Sequence, residues 1–388
     1  MFISSELAAQ TRYEKDFAAF WTTVKDNYAY LEKEQVDWDK VREIYQPKAG
    51  QVSNKEDFIR LMEQVINELH NGHISLNINL KSSNRIIPSG SDLLVEKSGG
   101  RYFITDLRKD FAAERCGLKP GMEVLQFNRR LIPDQLPAFL PAYTHTYTPE
   151  MNEYALGMLF AGTHDRPREI TVLDHGQPKT YFPDAAAPEN VREGLTESSI
   201  LKNNTGYIKI NNSLGNDDLI AEFDSVLNTM MHCRSLILDL TETPGGGNST
   251  VARAIMGRFI KRELPYQKHE LDEEPFKIRR SWVEYVSPRS PVFRRKVLVM
   301  VGHWTGSMGE GIAIGFDGMN AGTVIGTRMA GLLGAISTFS MPNTHISYQV
   351  PTERLYHING KPREDFIPRI HAGNIYETRK LADRLSGL

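Results

Sequence analysis

The chain has 388 residues; 40% are Ala, Val, Ile, Leu, Met, Phe, Trp, Tyr or Cys and 24% are charged, the balance of a folded globular protein rather than a disordered one. Its net charge of −2 carries no long Lys/Arg block, so nothing points to nucleic acid or an anionic membrane surface as a partner. No stretch approaches the roughly 18 consecutive apolar residues of a membrane span, and a prior of about 150 residues per domain suggests two or three domains.

The N-terminal "MFISSELAAQTRYEKDF" has neither a basic n-region nor an apolar core, so no signal peptide is expected in this chain. Cys116 and Cys233 lie far apart without metal spacing; they are compatible with a reducing compartment, and localisation stays open. The first 80 or so residues read as helices. In "YEKDFAAFWTTVKDNYAYL", Phe17, Phe20, Trp21, Val24 and Tyr28 recur at helical spacing and make one apolar stripe. "SNKEDFIRLMEQVINELHNGHISL" opens with a capping-box pattern, Ser53 with Glu56, and buries Phe58, Leu61, Met62, Val65 and Leu69. Asn71-Gly72 suits a chain reversal, and "HISLNINL" alternates like a strand.

Residues 88 to 185 have β character. "RYFITDLRKDFAAERCGLKPGMEVLQFNRRLI" gives a strand, a short helix, a turn at Pro120-Gly121, a second strand and a polar turn at Asn128-Arg129. A helical stretch spans about 149–160, and "REITVLDHGQPKTYF" reads as a hairpin, followed by the linker-like "PDAAAPENVREG". From about 195, the strands "TGYIKI", "SLILDL", "KVLVMV" and "GTVIGT" alternate with helices such as "STVARAIMGRFI" and "GEGIAIGF". That alternation predicts an α/β layer with mostly parallel strands.

Two strand-to-helix junctions in this last part concentrate chemistry. One carries Gly245, Gly246 and Gly247; the other delivers Ser307 in "GHWTGSMGEG". Free N–H groups and the helix dipole point to such places, and glycines let an anion or a forming oxyanion approach the amides. One donor aimed at the transition state is worth about 3–4 kcal/mol. Alone, each junction is also what ordinary turns use, although no Gly-Lys-Ser/Thr follows the glycines to make a Walker loop. A serine nucleophile needs a base, and His73 stands out at a helix end. His70 and His73 lack a suitably spaced third ligand, and no His-Glu-x-x-His motif is present, so neither metal nor cofactor is expected. No lysine lies between Lys296 and Lys361.

Five segments in order resemble the tail-specific (C-terminal-processing) serine peptidases and their relatives, the tricorn-protease core and the interphotoreceptor retinoid-binding protein repeats. "LHNGHISL" is similar to Leu-x-Asp-Gly-His-Thr, and "AAERCGLKPGMEVLQFN" to the PDZ segment of that family. "GYIKI" with "LILDLTETPGGG", "TGSMGEG" and "VIGTRMAG" resemble its core motifs. The resemblance implies a crotonase-like (ClpP/crotonase) α/β catalytic core at 195–388, an N-terminal helical domain at 1–82 and an inserted PDZ-like β domain at 88–185. It implies Ser307 as nucleophile, with an oxyanion hole from the amides of Gly246 (or Gly245) and Met308. Tail-specific members use a Ser–Lys pair, but Leu332 stands at the lysine position. The tricorn-like branch uses a His oriented by a Glu, which implies His73 with Glu364, or Asp365 in second place. That branch has a Ser directly before its His, where this chain has Gly72, and "TETPGGG" replaces the usual Arg and Asn.

Glu310, one turn past Ser307, is expected to support the helix start, and His303 and Trp304 to line the pocket or pack in the core. The expected activity is peptide-bond hydrolysis through an acyl-enzyme, with a peptide or protein substrate and self-association left open. Two rivals stand beside it: a non-catalytic protein that binds peptides or apolar ligands on the same scaffold, and an esterase using the same triad.

Overall fold

The computed structural model describes residues 11–185 and 194–387. Apolar alternation in the C-terminal half builds a six-stranded sheet. Its spatial order is Ile370–His371, Thr323–Gly326, Lys296–Val301, Ser235–Asp239, Thr205–Ile210 and Thr196–Leu201. All neighbours run parallel except the last pair. Both faces are buried, as continuous apolar strands require. Leu236, Leu238, Val297, Val299 and Val301 face the helices Asp218–Thr229, Ser249–Gly257 and Met308–Gly318; Ile237, Leu298, Met300 and Ile325 face Ala382 of the helix Ile375–Ser386.

The helices Arg12–Asn27, Trp38–Gln51 and Lys55–Asn67 do not form a core by themselves. They bury Phe17, Phe20, Met62 and Val65 together with Tyr348 and Val350 of the long strand Ser347–His357. That strand belongs to a second, antiparallel sheet with Leu264–Glu273, Ile278–Val286, Ala335–Ser340 and Ser75–Leu76. A third antiparallel sheet holds Leu93–Ser98, Arg101–Leu107, Glu123–Phe127, Ile170–Asp174 and Gln177–Tyr181, with Arg130–Leu131 at its side. The helix Pro149–Ala161 covers it through Ala155, Leu156, Leu159 and Phe160. The fold is mixed α/β.

Two local expectations change. The third helix is capped by Asn54, whose Oδ1 accepts from the Asp57 N–H at 2.9 Å, rather than by a Ser53–Glu56 box. The strand in "HISLNINL" shrinks to Ser75–Leu76, because its partner strand begins only at Ser347. Of the linker-like stretch, residues 186–193 lie outside the described residues, as do residues 1–10. Among the described residues, no helix is long and apolar enough to cross a membrane.

Candidate active site

The parallel strands Ser235–Asp239 and Lys296–Val301 end at the same sheet edge, so their exit turns lie side by side. A parallel bridge joins Thr243 to Thr305, and the Gly306 N–H donates to the Thr243 carbonyl at 3.0 Å. A side chain on Gly247 would lie 2.9 Å from Met308 Cβ, and one on Gly309 would collide with Thr243 Oγ1. The glycines thus allow the two junctions to close on each other.

Ser307 sits at the tip with φ +52° and ψ −114°. This conformation costs a non-glycine residue about 1–3 kcal/mol, so its surroundings must hold it. Glu310 and Arg363 do so. Glu310, fully buried, accepts from the Ser307 N–H at 2.8 Å through Oε2 and from the Gly331 N–H at 2.9 Å through Oε1. Burial pushes its pKa up to about 7, against the opposing pull of the Arg363 guanidinium. Arg363, 1% exposed, donates to the carbonyls of Ser307 at 3.2 Å, Leu332 at 2.8 Å and Gly334 at 3.2 Å. The reading of the sequence passed over Arg363, the residue directly before its candidate Glu364.

Chain folding brings His73 across 234 positions of sequence to this serine: its Nε2 lies 3.1 Å from Ser307 Oγ. The turn after the helix Lys55–Asn67 positions it. Asn71 Oδ1 accepts from the His73 N–H at 2.9 Å, and Gln349 Nε2 donates to the His73 carbonyl at 3.2 Å. A side chain on Gly72 would lie 2.5 Å from the Ile87 carbonyl oxygen, so this tight turn excludes the serine found in the tricorn-like pattern. His73 Nδ1 is 2.9 Å from the Leu333 carbonyl oxygen. A carbonyl only accepts, so Nδ1 carries the proton and Nε2 turns its lone pair to Oγ. Burial lowers the His73 pKa to about 4, with the nearby Arg363 charge acting in the same direction. The imidazole is therefore neutral at neutral pH.

The remaining candidates divide. Gly245 is withdrawn from the oxyanion pair, because its N–H donates to Asn212 Oδ1 at 2.8 Å. Gly246 is exposed, with open space where a side chain would stand. The amides of Gly246 and Met308 have no hydrogen-bond partner among the described residues. The carboxylate expected on His73 is not there: Leu333 occupies Nδ1, while Glu364 Oε1 accepts from Lys33 Nζ at 2.6 Å. Asp365 is exposed at a neighbouring cleft. Leu332, at the lysine position, packs close to both Gly306 and Gly72, so an aliphatic group fills that space. His303 lines the cleft, whereas Trp304 is buried and donates from Nε1 to the Ser91 carbonyl at 2.9 Å. The cleft, about 570 Å3, is lined in part by Gly72, Leu332 and Leu333, the neighbours of His73 and of the Ser307 turn.

Residues 204–370 match the family model described as peptidase family S41, and residues 9–67 the one described as tricorn protease C1 domain. Residues 204–370 thus form a peptidase family S41 domain. No curated protein matches the sequence. Among solved structures, mature CPAF, determined in complex with lactacystin, is similar with a TM-score of 0.66 at 15% identity, covering 97% of each chain. The photosystem II D1 C-terminal processing protease gives 0.57 at 13% identity, over 95% of this chain and 97% of its own. A peptidase-like protein from Parabacteroides merdae gives 0.56 at 15% identity, over 97% of both. At these identities the likeness is one of fold.

Proposed function

We propose that this S41 peptidase hydrolyses peptide bonds through an acyl-enzyme on Ser307, with His73 as general base. The observation that carries the reading is the 3.1 Å contact from His73 Nε2 to Ser307 Oγ, with Nδ1 anchored on a carbonyl. As Oγ attacks the scissile carbonyl carbon, its proton passes to Nε2, and the Leu333 carbonyl steadies the imidazolium. The N–H groups of Gly246 and Met308 receive the oxyanion. His73 then gives the proton to the leaving amine, and the acyl ester remains on Ser307. Water attacks that ester with His73 again as base, releasing the acid and restoring the hydroxyl.

A Ser–His pair held by a backbone carbonyl is our version of the arrangement, with Glu364 placed outside the His73 hydrogen bonds. The three-part organisation fits the same scheme: helices that deliver the histidine, a PDZ-like β unit at 88–185 able to take a peptide strand, and a crotonase-like core that carries the serine. Strand addition would supply peptide affinity without chemistry of its own.

The test is direct. Wild type should cleave an unfolded protein such as reduced casein and label with a fluorophosphonate probe, while Ser307→Ala does neither, a loss of at least about 10³-fold. Labelling that persists in Ser307→Ala would refute the assignment.

A further inference from the structure

The cleft beside Gly72 and Leu332 is electrostatically lopsided. Glu34, Glu150, Glu153, Glu364 and Asp365 line it, against Lys33 and Arg328. Some of that charge is spoken for within the protein. Glu34 Oε2 lies 3.2 Å from His70 Nε2, and Glu150 sits in the first turn of its helix, where backbone N–H groups hold its pKa down.

Glu364 differs from its neighbours. It is 7% exposed, yet its Oε2 has no hydrogen-bond partner among the described residues. A carboxylate oxygen so buried is costly unless something donates to it. Its other oxygen takes Lys33 Nζ, whose side chain remains 41% exposed. Tyr143 supplies an independent observation: it is 5% exposed, lines the same cleft, and its hydroxyl is likewise without a partner. Two unmatched polar groups on one cleft wall give a ligand hydrogen-bond partners there.

We propose that this cleft receives a cationic side chain of the peptide substrate, lysine or arginine, anchored on the Glu364 carboxylate that Lys33 occupies in the free protein. The proposal rests on the peptidase reading and adds the substrate class. A guanidinium is the better fit, because its planar fork of donors can reach the idle carboxylate oxygen of Glu364. Lys33 keeps a 41% exposed side chain, so its ammonium can leave Glu364 for solvent when a substrate cation takes its place. The chain's own ammonium thus acts as a placeholder, and the cleft's excess of carboxylates keeps acidic segments out.

Binding tests this without relying on turnover. Two fluorescent decapeptide pools, identical except for arginine or citrulline at the central position, are titrated against full-length Ser307→Ala. The arginine pool should bind at least about tenfold more tightly. Adding Glu364→Gln should shrink that ratio towards one, and adding Lys33→Met should enlarge it. Equal binding of the two pools, or a ratio unmoved by Glu364→Gln, overturns the proposal. Fluorophosphonate labelling of the wild type reports separately on the peptidase reading, so the two failures are distinguishable. If Glu364→Gln in the active enzyme lowers kcat/KM equally for arginine and citrulline substrates and shifts the pH profile, Glu364 serves His73 and the specificity proposal falls.

Discussion

At the scale of single residues, Arg363 organises the site without touching the reacting atoms. Its donors hold the Leu332 and Gly334 carbonyls, which flank the very carbonyl that accepts from His73 Nδ1. A third bond fixes the Ser307 carbonyl, and Glu310 lies 3.7 Å away as its buried counter-charge. Arg363→Met should therefore cost about 3 kcal/mol of stability in urea unfolding. It should also move the acid limb of kcat/KM. In the proposed mechanism a neutral His73 is the active form, so activity should fall as pH drops through its pKa of about 4. Burial is the larger cause of that low pKa and the Arg363 charge adds to it, so removing the charge shifts the limb upward by part of the way; a merely structural role would lower kcat/KM and leave the limb in place. Ser307 and His73 stood out in the sequence because they are side chains with distinctive neighbours, and the structure brings them to 3.1 Å of each other. The Leu333 carbonyl did not, since a backbone acceptor has no residue signature. Gly245 and Gly246 were indistinguishable until Asn212, from another strand end, claimed one amide.

At the scale of elements, the turn between the helix Lys55–Asn67 and Ser75–Leu76 decides where the imidazole points. Gly72 is required there by the Ile87 carbonyl at 2.5 Å from any added Cβ. Gly72→Ser should destabilise the protein by about 1–3 kcal/mol and displace His73, lowering kcat/KM more than tenfold. Thermal unfolding with peptide kinetics checks both, and an unchanged kcat/KM would show that the turn is not what aims the ring. Regular elements were largely legible. The parallel strands, the helix Met308–Gly318 and the Asn128-Arg129 turn, both residues at positive φ, follow from apolar runs and turn chemistry. The long hairpin Leu264–Glu273 with Ile278–Val286 was not, because "KHELDEEPFKIRRSW" has too much charge for an apolar alternation to show. Its strands are held by the backbone ladder to each other and to Ser347–His357, with cross-strand ion pairs such as Arg279 to Asp272 at 2.7 Å and Arg354 to Asp272 added on top. The helix cap moved from Ser53 to Asn54 for a simpler reason: adjacent cap formers compete, and sequence alone does not choose between them.

At the scale of the whole molecule, the site exists only where the separate parts of the chain meet. The three N-terminal helices pack on the strand Ser347–His357, which in turn holds the His73 carbonyl through Gln349. The third, antiparallel sheet and its approach are tied to both junctions. Arg108 pairs with Glu242 at 2.8 Å, both side chains nearly buried, beside the glycine run, and Trp304 reaches Ser91 beside the serine turn. Such buried pairs contribute less to stability than to fixing one arrangement of parts. This long-range convergence was foreseen as a requirement of a serine–histidine pair and not from any local pattern. The measurement that tests it most directly is the rate of fluorophosphonate labelling of Ser307 across pH 3 to 9, in wild type and in His73→Ala. The wild-type rate should fall on the acid side with an inflection near pH 4, following the lowered His73 pKa, and His73→Ala should label at least about 10³-fold more slowly with that inflection gone. Labelling of His73→Ala at the wild-type rate, with the same pH dependence, would contradict the account.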